Sequence, residues 1–301
     1  MYYYWQYNKT VIVKISKDEE KRIAILKKNE IDSIATYTKN TFQPNRDIEE
    51  IKRDTAQGKI AEFIFFKVLE RYQGRYLFKD YDSIREDEFK KHAPYDALIY
   101  PATIPNESIL TIENKIKNDV KDNKYGNLSL MTKKTLRDNN LILVEIKSSI
   151  IPPREKQYIY NNIDAFKLEA ISDCEKEFID NHLNTLDIFA YPRYLRKDGT
   201  GINDFNAYIN YVRRKFEYYA SCNENDILKK ELETAYDYYT RIFIDDTHKE
   251  YRTYYIPGAI SAEKLFGNKT ITKFYKPGKT ELALYYICPI LKAESLKNLF
   301  S

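Results

Sequence analysis

Several features that define whole classes of protein are missing from this chain. Its three cysteines, Cys174, Cys222 and Cys288, show no Cys-x-x-Cys spacing and have no histidine partner nearby. That excludes a disulfide framework, a zinc knuckle and most thiol redox motifs, and it makes a reducing cytoplasm the expected compartment. Glycine is scarce, at 8 of 301 residues, and no Walker, dinucleotide-binding or Gly-x-Ser-x-Gly pattern occurs. No apolar run approaches the roughly 20 residues of a membrane span. The opening Met1-Tyr2-Tyr3-Tyr4-Trp5-Gln6 lacks a basic segment followed by an apolar one, so neither membrane insertion nor export is expected. The three histidines, His92, His182 and His248, have no metal-ligand spacing and read as surface residues.

What the chain does have is the balance of a folded globular protein: 43% hydrophobic, 31% charged, and a formal charge of only +4. Tyrosine is abundant, at 28. It suits wet polar interfaces and stacking on bases, although a low-GC genome would enrich Tyr, Lys, Asn and Ile together and explain it equally.

Hydrophobic periodicity organises the chain. Thr10 to Ile15 is β-branched and reads as a strand, with a helix following from Asp18 to Lys28. From Ile48 to about Tyr72, apolar Ile51, Ile60, Ile64, Val68 and Leu69 predict one long amphipathic helix. Strands are expected at Gly74 to Lys79 and at Tyr95 to Tyr100, the latter apolar but for Asp96. Residues 101–139 read as an insertion with a short strand at Ile109 to Glu113. Leu141-Ile142-Leu143-Val144, leading into Glu145-Ile146-Lys147-Ser148-Ser149, looks like a strand buried on both faces, and Leu186 to Pro192 repeats that style. Helices are expected at Asn162 to Asn184, Asn203 to Ala220 and Asp226 to Phe243, then strands at Tyr251 to Ile256 and Leu282 to Ile287. No repeat or linker is present. The expectation is one elaborated α/β domain over 1–301, with a central mixed sheet flanked by helices, a catalytic core at about 46–200 and a helical and strand elaboration at about 201–301.

Three carboxylates and a lysine stand out against this pattern. The period of two puts Glu145 and Lys147 on one face of an otherwise apolar strand. Buried charges persist only when paired, metal-bound or open to a cleft. Asp96 interrupts a second apolar strand 49 residues earlier, and adjacent antiparallel strands would bring it to Glu145. Glu62 lies on the border of the apolar face of the long helix, where the small residues Gly58 and Ala61 permit close approach to a sheet. The plain alternatives are a structural Glu-Lys pair at a strand end and a solvated helix carboxylate paired with a lysine.

The order helix-Glu, strand-Asp, strand-Glu-x-Lys resembles the PD-(D/E)xK nuclease superfamily, and within it looks most like a type II restriction endonuclease, over roughly residues 50–192. The resemblance implies a restriction-endonuclease-like core in which Asp96, Glu145 and Glu62 hold Mg²⁺, with Mn²⁺ able to substitute, and Lys147 orients or polarises the attacking water. Two departures accompany it. The proline stands two residues before Asp96, and the Asp96-to-Glu145 spacing is long, so Glu113-Asn114-Lys115, at a spacing of 17, is a rival motif. Glu145 is preferred for its better buried strand and for the small polar Ser148 and Ser149.

The implied partner is double-stranded DNA, cut at a short sequence by a homodimer, with no membrane involved and with a cognate DNA methyltransferase in the same system but not in physical contact. Basic groups at 114–137, at Lys264 to Lys279 and around Arg193 and Arg213 are phosphate-contact expectations. They nominate Lys133, Lys134, Arg193, Arg213, Lys273 and Lys276, with Ser148 and Ser149 beside the motif and His92 near enough to Asp96 to contact DNA. Rival readings are a structure-directed repair or recombination nuclease, a non-catalytic DNA-binding module of the same fold, and a protein whose acids and lysines are purely structural.

Overall fold

The computed structural model describes residues 2–41, 43–72, 74–124, 126–190, 202–275 and 282–300, leaving aside the side chains of 273–275 and 282–283. Eleven strands and eleven α-helices alternate along these residues. The N-terminal part holds β1 (Tyr2–Tyr7), β2 (Thr10–Ser16), α1 (Lys17–Leu26), α2 (Lys28–Thr41) and α3 (Ile48–Leu69). Then come β3 (Tyr76–Asp80), β4 (Ala97–Pro101), α4 (Asn106–Asp122), α5 (Leu130–Asp138) and β5 (Ile142–Ile150). Next are α6 (Pro153–Asn161), α7 (Asp173–Asn181), β6 (Asp187–Ala190), α8 (Phe205–Lys215) and α9 (Glu224–Thr234). The chain continues through β7 (Tyr238–Asp245), β8 (Tyr251–Ile256), β9 (Ala259–Ser261), α10 (Ala262–Gly267), β10 (Ile271–Tyr275), β11 (Leu282–Pro289) and α11 (Leu296–Phe300).

The protein is α/β, with a mixed central sheet in the order β1-β2-β8-β7-β5-β4-β3 and β9 added beside β7. The pairs along it are antiparallel except β5 with β7, which run parallel from Val144 opposite Tyr238 to Ile150 opposite Ile244. A parallel pair needs a long crossover, here supplied by α6 to α9. Alternation along the strands splits the core in two. Val144, Ile146, Ile242, Ile244, Ala97 and Ile99 face α1, α3 and α11. On the other side, Tyr239, Phe243 and Tyr255 meet α6 to α10, while Leu98 and Leu143 meet α4 and α5.

α3 forms where the periodicity places it. The Asp47 side chain accepts the Glu50 N–H at 3.1 Å as N-cap, and Ile51, Ile60, Ala61, Ile64, Phe65, Val68 and Leu69 are its buried stripe.

The expectations at Ile109 to Glu113 and at Asp226 to Phe243 are corrected. Ile109 to Glu113 is not a strand but part of α4, because Ile109, Ile112, Ile116 and Val120 at helical spacing are the buried positions while Leu110 is 59% exposed. The helix expected from Asp226 to Phe243 stops at Thr234, and Tyr238 onward is β7, drawn into the sheet by its pairing with β5. The strand expected at Leu186 to Pro192 is present as β6 up to Ala190, its last two residues lying outside the described ones, and it pairs with β11 in a separate three-stranded sheet, β10-β11-β6. The strand beside β5 is therefore β7, so the central sheet draws β1, β2, β7, β8 and β9 from outside residues 46–200. No helix among the described residues is long and apolar enough to cross a membrane.

Candidate active site

β4 and β5 pair antiparallel with Ala97 opposite Val144 and Leu98 opposite Leu143, so one step further along the register Asp96 falls opposite Glu145. The Asp96 N–H donates to the Val144 carbonyl at 3.2 Å, and the Asp96 carboxylate accepts the Ile146 N–H at 2.7 Å. The carboxylate is thus locked onto the backbone of the strand that carries the Glu-x-Lys. Glu145 and Lys147 share the sheet face of Leu143 and form an ion pair, with side chains 12% and 34% exposed. Burial pushes the Asp96 carboxyl above its ordinary range, Glu145 adds to the rise, and Lys147 and the Ile146 N–H oppose it.

Glu62 arrives from α3, on the opposite face, and sits in a second charged cluster. Lys59 bridges it to Asp82, which follows β3, at 2.6 Å to each. Burial raises the Glu62 carboxyl to about 7 against the opposing pull of Lys59, and the Asp96 charge nearby raises it further. Burial on its own would lower the Lys59 ammonium, but the Glu62 and Asp82 carboxylates outweigh it and hold the pKa above the ordinary lysine value. The structure therefore groups Asp96, Glu145 and Lys147 directly and sets Glu62 within electrostatic reach of Asp96. Among the described residues, no three acid, histidine or cysteine side chains stand close enough to enclose a metal ion by themselves.

The rival motif is dispersed. Glu113 is buried on α4 and pairs with Lys79 of β3 at 2.6 Å, while Lys115 donates to the Thr135 hydroxyl at 2.7 Å. Residues two apart on a helix point to different sides, so they make no Glu-x-Lys pair.

The phosphate-contact expectations divide. Lys133 is 8% exposed, and its ammonium donates to the Thr234 and Ala235 carbonyls. Arg213 is half-buried and donates to the Cys222 carbonyl at 3.0 Å. Lys134 is exposed on α5. Ser148 lies 3.5 Å from the Gln57 amide nitrogen, and Ser149 accepts from Arg241 at 3.0 Å. Lys273 is on β10, and Arg193 and Lys276 lie outside the described residues. Within the basic segments, Lys117 pairs with Glu86, Arg137 with Asp237, Lys264 with Glu294 and Lys269 with Glu224, so much of that charge is neutralised locally. His92 is exposed, as expected. His182 and His248 instead pack on rings, 4.5 Å from Tyr158 and 4.3 Å from Tyr251 between centroids.

Sequence reasoning missed Lys59, Asp82, Tyr239 and Arg241. Tyr239 and Arg241 are the register partners of Glu145 and Lys147 across the parallel pair. Arg241 carries a sequence signal, since it interrupts an apolar run as Glu145 does, but that run equally fits the end of the helix expected from Asp226 to Phe243. Burial, reinforced by Glu145, pushes the Tyr239 phenol well above its usual pKa, so it stays protonated beside the site.

Comparison of the chain with protein-family models, curated proteins and solved structures finds no match.

Proposed function

We propose that this chain is a Mg²⁺-dependent endonuclease that hydrolyses phosphodiester bonds of double-stranded DNA at a short sequence, on a core like that of the PD-(D/E)xK superfamily. The observation that carries the reading is Asp96, held by the Ile146 N–H, opposite Glu145, with Lys147 on the same strand face. The succession of α3, β3, β4, β5, crossover helices and β7 as the further strand beside β5 supports it.

Two carboxylates across one strand pair are hard oxygen donors of the kind Mg²⁺ takes, water and phosphate oxygens completing its shell. That Glu145 already receives an ammonium fits it as a cation-binding group. Asp96 and Glu145 would hold the ion, with Glu62 behind Asp96. When bound, it would neutralise charge on the phosphate and polarise the attacking water. Lys147, one strand position pair from Glu145, can donate to a phosphate oxygen and hold or move a proton at the attacking water. The backbone bond to Ile146 keeps Asp96 oriented before substrate arrives. Cutting both strands calls for two such sites, hence two copies acting on a two-fold DNA sequence.

Digestion of unmethylated phage-length DNA by the purified protein with Mg²⁺, beside EDTA and Lys147→Ala controls, tests this. Discrete fragments lost in both controls are expected. A smear would move the reading to a structure-directed nuclease, and intact but retarded DNA to a binding module. Intact, unretarded DNA would leave the charged cluster a structural feature.

A further inference from the structure

Arg241 is a cation placed on the site's own sheet face with no carboxylate in salt-bridge distance among the described residues. It lies on β7 as the register partner of Lys147, so the two side chains project from the same face of adjacent strands about 4.8 Å apart. Its guanidinium donates to the Ser149 hydroxyl at 3.0 Å and to the Asp187 carbonyl at 2.7 Å, both neutral acceptors. It stacks 4.4 Å from the Phe189 ring centroid and 4.7 Å from that of Phe243. Its charge interacts with the Asp187 side chain and, more weakly, with Tyr285, both beyond salt-bridge distance. Burial lowers the Arg241 pKa to about 10, so it remains charged at neutral pH. A half-buried charge with only neutral hydrogen-bond partners is costly for a fold to keep, and an arriving anion would compensate it.

We propose that Arg241 is a phosphate-binding residue, taking the phosphodiester next to the one that Asp96, Glu145 and Lys147 would cut. The proposal rests on the nuclease reading for the identity of its anion. Its bond to Ser149 carries the guanidinium along β5 beyond Lys147, and two strand residues span roughly 7 Å, the scale of one nucleotide step rather than of one shared phosphate. The planar fork, already fixed by Ser149, Asp187 and two aromatic rings, loses little freedom when it binds a second pair of oxygens.

The test has two arms. In the first, a fluorescein-labelled random-sequence duplex of about 20 base pairs is titrated with the full-length protein in EDTA at several salt concentrations. Arg241→Gln, which keeps a hydrogen-bond donor but loses the charge, should bind on the order of ten-fold more weakly and lower the log–log salt slope by about one, while Arg241→Lys keeps the slope. An unchanged slope in a folded Arg241→Gln overturns the proposal, and assigns Arg241 to fastening β6 against β7. In the second arm, wild-type crystals soaked in sodium selenate are examined for an anomalous peak at the Arg241 guanidinium. If Arg241→Gln does not fold, this map decides: a peak upholds the anion site and its absence overturns it. A selenate peak in a protein that shows no salt-dependent duplex binding would keep Arg241 as an anion site while removing the nuclease reading.

Discussion

Asp96 offers the sharpest separation of a functional from a structural carboxylate. Two substitutions divide its roles. Asp96→Ala removes both the charge and the acceptor of the Ile146 N–H, leaving that donor unpaired between strands. A lost partner of this kind costs about 1–3 kcal/mol. Asp96→Asn keeps an oxygen at the same place and removes only the charge. The folded-state pKa of Asp96 lies above its ordinary 3.8, so the stability this group contributes is full below that value and is lost as pH rises through the folded pKa. Wild type should therefore weaken relative to Asp96→Asn on going from acid to pH 8, where Asp96→Asn should be the more stable of the two. Urea unfolding at pH 4 and pH 8 in EDTA measures this. Mg²⁺ at ten times its dissociation constant should then restore about 1.4 kcal/mol to wild type and nothing to Asp96→Asn. Both variants should be inactive on DNA. Asp96→Asn as destabilised as Asp96→Ala, or an equal response of wild type and Asp96→Asn to Mg²⁺, would refute a cation-binding role for the Asp96 charge.

Cleavage rates should rank the other carboxylates: Glu145→Ala should abolish cutting more completely than Glu62→Ala, because the Lys59 ammonium, shared with Asp82, holds Glu62 away from the Asp96–Glu145 pair. Lys147→Ala should reduce kcat by roughly 10²–10⁴ while duplex affinity in Ca²⁺ stays within a few-fold, and an equal loss of affinity would make Lys147 a binding residue only. Glu113→Ala should retain cleavage, the converse of Glu145→Ala, since it only releases Lys79; inactivity would return the rival motif to consideration. Toward the β2 end of the same sheet face, Lys14 and Glu175 form a 2.5 Å ion pair with fully buried side chains, and burial lowers the one pKa and raises the other against their attraction. Removing either partner should cost about 3–5 kcal/mol, whereas Lys14→Met with Glu175→Leu should be neutral or more stable by about 1–4 kcal/mol; additive losses in a urea double-mutant cycle would contradict this.

Local pattern carried a good part of the architecture. The stripe from Ile51 to Leu69 reappears as the buried face of α3, and Leu143, Val144 and Ile146 line the two faces of β5 as the alternation requires. Such periods are properties of neighbouring residues, so they can be read from the chain alone. The same reasoning put Glu145 and Lys147 on one face. It failed where a short apolar run fits two periods, as at Ile109 to Glu113, since the choice was made by which side chains α4 could bury against Leu98 and Leu143.

Pairing across long separations belonged to the tertiary structure. β7 is a strand because β5, some ninety residues earlier, offers it a parallel edge, and that pairing sets Tyr239 beside Glu145 and Arg241 beside Lys147. Lys59 between Glu62 and Asp82, Lys133 under the Thr234 carbonyl, and Lys14 against Glu175 follow the same logic. A lysine in sequence carries no mark of the carboxylate or carbonyl it will meet, because the partner is selected by register and packing once the sheet has formed. Composition and period determined where strands, helices and conspicuous charges lie; the folded sheet alone decided which of those charges face one another, because strand register is a relation between distant segments.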